Sequence, residues 1–153
     1  VVRAHQHSAG ALKKGDEAIG RSRGGLTTKI HAIVDALGNP LAVSLTAGQV
    51  HDITQAEALA GQVEAKAILA DKGYDADAFI ESLEARHIEV VIPPKANRKV
   101  QRECDFALYR ERNLVERFFN IIKHFRAIAT RYEKTARNFL AGVHLACAMA
   151  WLK

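Results

Sequence analysis

Two carboxylates stand out for what surrounds them. Asp71 follows the apolar run AKAILA, residues 65–70, and precedes Lys72-Gly73. Glu116 sits inside YRERNLVERFFNIIKHFR, residues 109–126. Turned at roughly 100° per residue, the α-helical step, Tyr109, Arg112, Glu116 and Lys123 fall within an arc of about 60°. An acid set between an arginine and a lysine suits a hard-metal ligand, which must be ionised. Two carboxylates converging from distant parts of a chain could share magnesium ions. Two such ions, about 3.5–4 Å apart, clamp the attacking and leaving oxygens in phosphoryl displacement. Arg112 and Lys123 could then face phosphates, and Tyr109 could bond a phosphate or stack on an unpaired base. Blander readings stand beside these. Arg112 and Glu116 four residues apart make an ordinary surface pair, worth a few tenths of a kcal/mol. Asp71 could simply open a turn through its own side-chain hydrogen bonds.

The elements that must position these residues are legible in outline. VVRAHQ reads as the tail of a strand whose beginning is missing, and residues 8–25, with five glycines, read as a loop. LTTKIHAIVDA and LAVSLTAG both alternate, and the Gly-Asn turn between them argues a β-hairpin. HDITQAEALAGQ reads as a short helix capped by Asp52 or Thr54. AKAIL reads as a buried strand ending near Asp71, where ligands collect in open α/β sheets. Asp75 or Asp77 would cap a helix over 77–86, IEVVIPP would be a second buried strand, and KANRKVQRE a basic loop. Residues 109–126 then form one long helix, with Leu114, Val115, Phe118, Ile121, Ile122 and Phe125 away from the polar arc. An apolar helix over 135–152 closes the chain. The expected architecture is α/β, a mixed sheet with helices on its faces.

The chain has 153 residues, enough for one domain with a real core. No apolar run approaches the ~20 residues of a membrane span, and no signal peptide opens it. Cys104 and Cys147 lie far apart without a CxxC pairing, so a reducing cytoplasm is the expected setting. Charge is unevenly placed. Residues 1–94 carry nine Lys/Arg against twelve Asp/Glu, a net of −3, and residues 95–153 carry thirteen against five, a net of +8. A basic half of that size suits a polyanion, with nucleic acid the first candidate.

Other candidates are weaker. His5, His7, His31 and His51 match no standard zinc spacing. RSRGG lacks the lysine and spacing of a P-loop, and no Gly-x-Ser-x-Gly elbow occurs. Phe118-Phe119 suit a core better than a stacking platform. Lys95, Arg98, Lys99 and Arg102 form a candidate phosphate-contacting strip, with a solvated loop as the cheaper explanation. Arg117 and Arg126 complete the DNA-binding candidates.

Tyr109, Arg112, Glu116 and Lys123 stand as Y-x2-R-x3-E-x6-K. That pattern resembles the signature around the third catalytic acid of a large group of bacterial insertion-sequence transposases of the DDE class. The resemblance extends through GRSRGGLTTKIHAIVDALGNP, LADKGYDAD, VIPPKANRK and ATRYEKTARNFLA, nearly the whole chain. It implies an RNase H-like mixed sheet flanked by helices, with the first strand truncated. It implies that Asp71 is the second catalytic aspartate and Glu116 the third acid, both ligands of a two-ion magnesium or manganese site. Tyr109, Arg112 and Lys123 become accessory residues that touch DNA near the cut. The implied reaction is phosphodiester hydrolysis at each transposon end, followed by attack of the freed 3′-hydroxyl on target DNA. The partners implied are double-stranded DNA and further copies of the chain in a homo-oligomer.

One departure bears on activity. The family's first aspartate belongs to an Asp-Ser or Asp-Thr stretch just before the segment matching VVRAHQ, and Asp16 and Asp35 hold no matching position. The resemblance also implies an N-terminal DNA-binding region, which this stretch of sequence is expected to lack. Two of three carboxylates predict weak metal binding and impaired catalysis. The competing expectation is a non-catalytic fragment that binds DNA or associates with full-length transposase.

Overall fold

The computed structural model describes residues 1–8 and 17–152, so the part of the expected loop over 9–16 lies outside the described residues. Alternating side chains build the main sheet. β3 (Gly25–Val34) and β4 (Pro40–Ala47) pair antiparallel, with Ile30 opposite Leu45 and Ala32 opposite Val43. These four residues pack in or against one core. The expected turn between the strands is present. Gly38 takes φ 87°, a conformation open to glycine, and the Asp35 carboxylate accepts the N–H groups of Leu37 and Asn39 at 2.8 Å each.

β1 (Val2–Ala4) lies antiparallel to β3 and parallel to β7 (Thr130–Arg131). Within the stretch read as loop, β2 (Gly20–Ser22) pairs with the start of β3. The resulting five-stranded mixed sheet runs β2-β3-β1-β7, with β4 also on β3. The expected single sheet is divided, however. β5 (Ala67–Leu69) and β6 (Glu89–Val91) form a separate parallel pair, and β5 is half-buried rather than buried.

Two expected helix caps do not form, because their carboxylates are engaged elsewhere. α1 (Ala56–Ala60) follows a 3-10 turn over Asp52–Gln55 that has no side-chain cap; Asp52 pairs with Lys29, and the Thr54 hydroxyl donates to the His51 carbonyl. α2 (Asp77–Ala85) begins after an uncapped Ala76, while Asp75 turns inward. The long helix expected over 109–126 is broken. It consists of α3 (Phe106–Tyr109), a tight 3-10 turn at Arg110–Arg112, α4 (Asn113–Lys123) and α5 (Arg126–Ala129). Asp105 starts it early by accepting the N–H groups of Ala107 and Leu108, and Phe125 ends α4 with an extended backbone. α6 (Ala136–Trp151) closes the fold as expected, capped by Thr135.

The core has two parts. One gathers Val2, Ile30, Phe118, Ile122, Phe139 and Val143 between the main sheet and helices α4 and α6. The other gathers Phe79, Ile80, Leu83, Ile88 and Ile92 around α2 and the small sheet. Burying such a side chain fully contributes about 1.5–3 kcal/mol. Arg131 is fully buried among them, donating to the Thr28 hydroxyl at 2.7 Å and lying 5.1 Å from the centre of the Phe139 ring.

Candidate active site

Asp71 stands two residues beyond β5 and is exposed. Its Oδ1 accepts the Gly73 N–H at 2.7 Å, which caps the 3-10 turn Lys72–Tyr74. The turn-opening role read from sequence is therefore real, and it fixes the carboxylate at the strand end. Glu116 rises from the first turn of α4, whose opposite side buries Phe118 and Ile122. Arg112 Nη2 donates to Glu116 Oε1 at 2.7 Å, so the ordinary surface pair is also present. Arg112 lies 5.5 Å from the centre of the Tyr109 ring, and Lys123 lies 6.0 Å from that of Phe119.

Asp71 and Glu116 line one cavity of about 970 Å³, together with Arg112 and Lys123. Tyr109 is not on its wall; it contacts Arg112, which is. Three residues that sequence reasoning missed line it too: Lys29, Asp52 and Tyr74. Lys29 Nζ donates to Asp52 Oδ1 and to the Val50 carbonyl, at 2.7 Å each. Burial pushes the Tyr74 phenol up to about 12, helped by the charges of Asp52 and Asp71. Its place three residues after Asp71 was a usable signal; nothing in the sequence announced the Lys29–Asp52 pair.

The donor chemistry suits a hard divalent cation. Asp71 Oδ2 and Glu116 Oε2 carry no hydrogen bond among the described residues, and both are carboxylate oxygens. Their number is small, because no group of three or more His, Cys, Asp or Glu side chains poised for a metal occurs among the described residues. Nearby, Arg112 Nε is buried without a partner, a donor left open beside Glu116.

The basic strip is largely occupied. Arg98 Nε and Arg102 Nη1 bond the two oxygens of Asp75 at 2.6 and 2.9 Å, and both arginines also reach Asp77. The Lys95 N–H donates to Asp75 Oδ2 at 2.8 Å and its Nζ to the Asp75 carbonyl at 2.9 Å. Burial raises the Asp75 carboxyl, but the hydrogen bonds from Arg98 and the Lys95 N–H, with the arginine charges, hold it below its ordinary value. Lys99, Arg117 and Arg126 are exposed.

Residues 1–151 match the transposase DDE domain family. The chain belongs to that family. This transposase is 42% identical over 132 residues to a protein assigned as the transposase of insertion sequence element IS6501 in Brucella ovis, covering 84% of this chain and 100% of that one. It is 32% identical over 152 residues to the protein so assigned for IS402 in Burkholderia cepacia, covering 92% of this chain and 69% of that one. No solved structure matches the transposase. Among its described residues, no helix is long and apolar enough to cross a membrane.

Proposed function

We propose that this transposase hydrolyses phosphodiester bonds at the ends of an insertion sequence and joins the freed 3′-hydroxyl to target DNA. Asp71 and Glu116 are its catalytic acids. The observation that carries this reading is their shared cavity, reached from opposite halves of the chain and flanked by Arg112 and Lys123. The fold is taken as RNase H-like on the strength of its mixed sheet, the acid at the end of β5 and the acid on a helix after β6.

Magnesium or manganese held by Asp71 and Glu116 would supply Lewis-acid activation of the attacking oxygen and neutralise charge on the leaving one. The protein's own groups do the rest. Arg112 fixes Glu116, and its partly exposed guanidinium brings positive charge to a phosphate. Lys123 puts positive charge on the same wall. Tyr74 keeps its proton throughout the neutral range and offers it to a phosphate oxygen. Tyr109 supports Arg112 from the other side. Duplex DNA is the substrate, and a homo-oligomer pairs two ends.

Two carboxylates hold divalent ions weakly, and Asp52 on the same wall is paired with Lys29, so full activity requires a third acid free to join Asp71 and Glu116. The absence of a three-ligand group among the described residues favours a second reading, a fragment that binds DNA or transposase without cutting. Manganese-dependent nicking of supercoiled DNA separates the two. The chain is assayed as it stands and with an Asp-Ser stretch added ahead of Val1, each with Asp71→Asn and Glu116→Gln. Nicking that both substitutions abolish supports the enzyme; nicking retained in Glu116→Gln removes Glu116 from the site. DNA binding without nicking in every version supports the second reading.

A further inference from the structure

The outer face of the β1–β7 edge follows from simple alternation. Along β1, Val2 and Ala4 point inward at 2% and 6% exposure, so Arg3 and His5 point outward. Along β7, Arg131 points inward, which turns Thr130 and Tyr132 outward. Arg3 is the register partner of Thr130, and β7 is the last strand of the sheet. Four side chains, Arg3, His5, Thr130 and Tyr132, therefore share one face at the β7 edge, where no further strand pairs among the described residues.

The aromatic members are stacked. The His5 ring lies on Tyr132 with centres 4.9 Å apart and planes 29° apart, and His7 meets His5 edge-on at 4.9 Å. His5 braces one side of Tyr132, yet Tyr132 remains 56% exposed. Beside it opens a cavity of about 390 Å³ lined by Arg126, Ala127, Ala129, Thr130 and Tyr132. Its volume lies in the range of small-ligand sites. An aromatic ring, alanine methyls and one hydroxyl make a surface for a flat heterocycle, and exposed Arg126 supplies a cation beside it. The nearby acid is Glu133, whose Oε2 accepts the Tyr132 N–H at 3.3 Å. It disfavours a phosphate on its own side and leaves Arg126 and Arg3 for the backbone.

We propose that this edge is a second nucleic-acid site, which takes an unpaired nucleotide with its base on Tyr132 and its phosphate on Arg126. A phosphate-only surface has no use for a braced, exposed ring, whereas every unpaired base offers a π-face to one. A duplex keeps its bases stacked internally and offers nothing to Tyr132. The site lies along β1 from the catalytic cavity: Val1 is on that cavity's wall, and His5 is about 13 Å further along the strand at its usual rise. The proposal rests on the reading of this protein as acting on DNA, though not on its catalytic acids.

The test is fluorescence anisotropy with a short labelled oligothymidylate and a blunt duplex of equal length. Tyr132→Ala is expected to weaken oligothymidylate binding about 5- to 100-fold and leave duplex binding unchanged. Tyr132→Phe, which keeps the ring, should bind like wild type. Arg126→Ala should weaken binding and lower the salt slope by about one. Undiminished oligothymidylate binding by Tyr132→Ala, or equal losses on both probes, overturns the proposal. Should Tyr132→Ala fail to fold by circular dichroism, an unchanged salt slope in Arg126→Ala overturns it instead. Nicking without single-strand binding thus sinks this site alone, single-strand binding without nicking sinks only the catalytic reading, and binding of neither probe sinks both.

Discussion

The Asp75 side chain is wholly shielded from solvent, and Arg98 Nε meets its Oδ2 at 2.6 Å. With Arg102 on the other oxygen, this carboxylate ties the basic loop to the start of α2. Removing it leaves the two guanidinium groups with exposed Asp77 as their remaining carboxylate, beside an empty pocket. Asp75→Ala should therefore cost about 3 kcal/mol, the low end for breaking a buried pair, since both arginines keep some solvent. Urea unfolding measures this directly; a cost below about 1 kcal/mol, the ceiling for a surface pair, would show that the cluster is ornamental.

The same group sets a pH dependence. Its folded-state pKa lies below the ordinary carboxylate value, so its contribution is fully present above the unfolded pKa of about 3.9 and disappears as pH falls through the folded value. The stability gap between wild type and Asp75→Asn should be constant from neutral pH to about 5 and shrink below about 4. Urea midpoints across that range test it, and a gap that widens in acid would reverse the sign.

Within the basic strip, Lys99 is exposed and makes no ion pair among the described residues, whereas Arg98 is held twice. Lys99→Ala should reduce the salt slope of duplex binding by about one without changing stability. Arg98→Ala should instead lower the unfolding midpoint. Equal slopes for wild type and Lys99→Ala would remove this loop from the DNA contact.

Arg112 separates structure from function at the other acid. Its exposed pair with Glu116 is worth about 0.3–0.5 kcal/mol, so Arg112→Ala should barely move the melting curve. Nicking by the version with a third acid should fall by at least about tenfold, because a charge-assisted contact worth more than 1.4 kcal/mol is lost in the reacting complex. Unchanged nicking would demote Arg112 to the surface pair it resembles.

Tyr74 offers a milder probe. Tyr74→Phe keeps the ring in the wall of the cavity and removes one donor, so nicking should fall up to about tenfold with little loss of stability. Any step in activity between pH 7 and 10 should be shared by both proteins, since burial pushes the Tyr74 phenol up to about 12, above that range. A step in wild type that vanishes in Tyr74→Phe would contradict that.

The hairpin, α6 and the placement of Asp71 and Glu116 on their elements were legible because each rests on a local signal: alternation about Asp35–Asn39, a cap at Thr135, a strand end at Asp71, an amphipathic face around Glu116. What escaped is pairing at long range. Strand periodicity says nothing of partners, so the division between the main sheet and β5–β6 was invisible. Charges counted by segment made Lys95–Arg102 look free, while Asp75 lies 23 residues before Arg98. Arg131 read as one more basic residue, because only the fold surrounds it with Thr28 and Phe139. The break at Arg110–Arg112 was missed for a different reason. Apolar spacing continues through it, and Asp105, the cap that shifts the start, precedes the periodic stretch.

The two acids ride on different halves of the core. Ile68 and Ala70, leading to Asp71, pack with the cluster that contains Leu83; Phe118 and Ile122, flanking Glu116 on its helix, belong to the cluster that contains Val143. Each carboxylate is thus anchored to a different packed cluster, and the spacing between them is set by neither cluster alone. Anything that grips both acids works as a removable crosslink. Once clamped, the two halves should melt together, and a chelator should let them part.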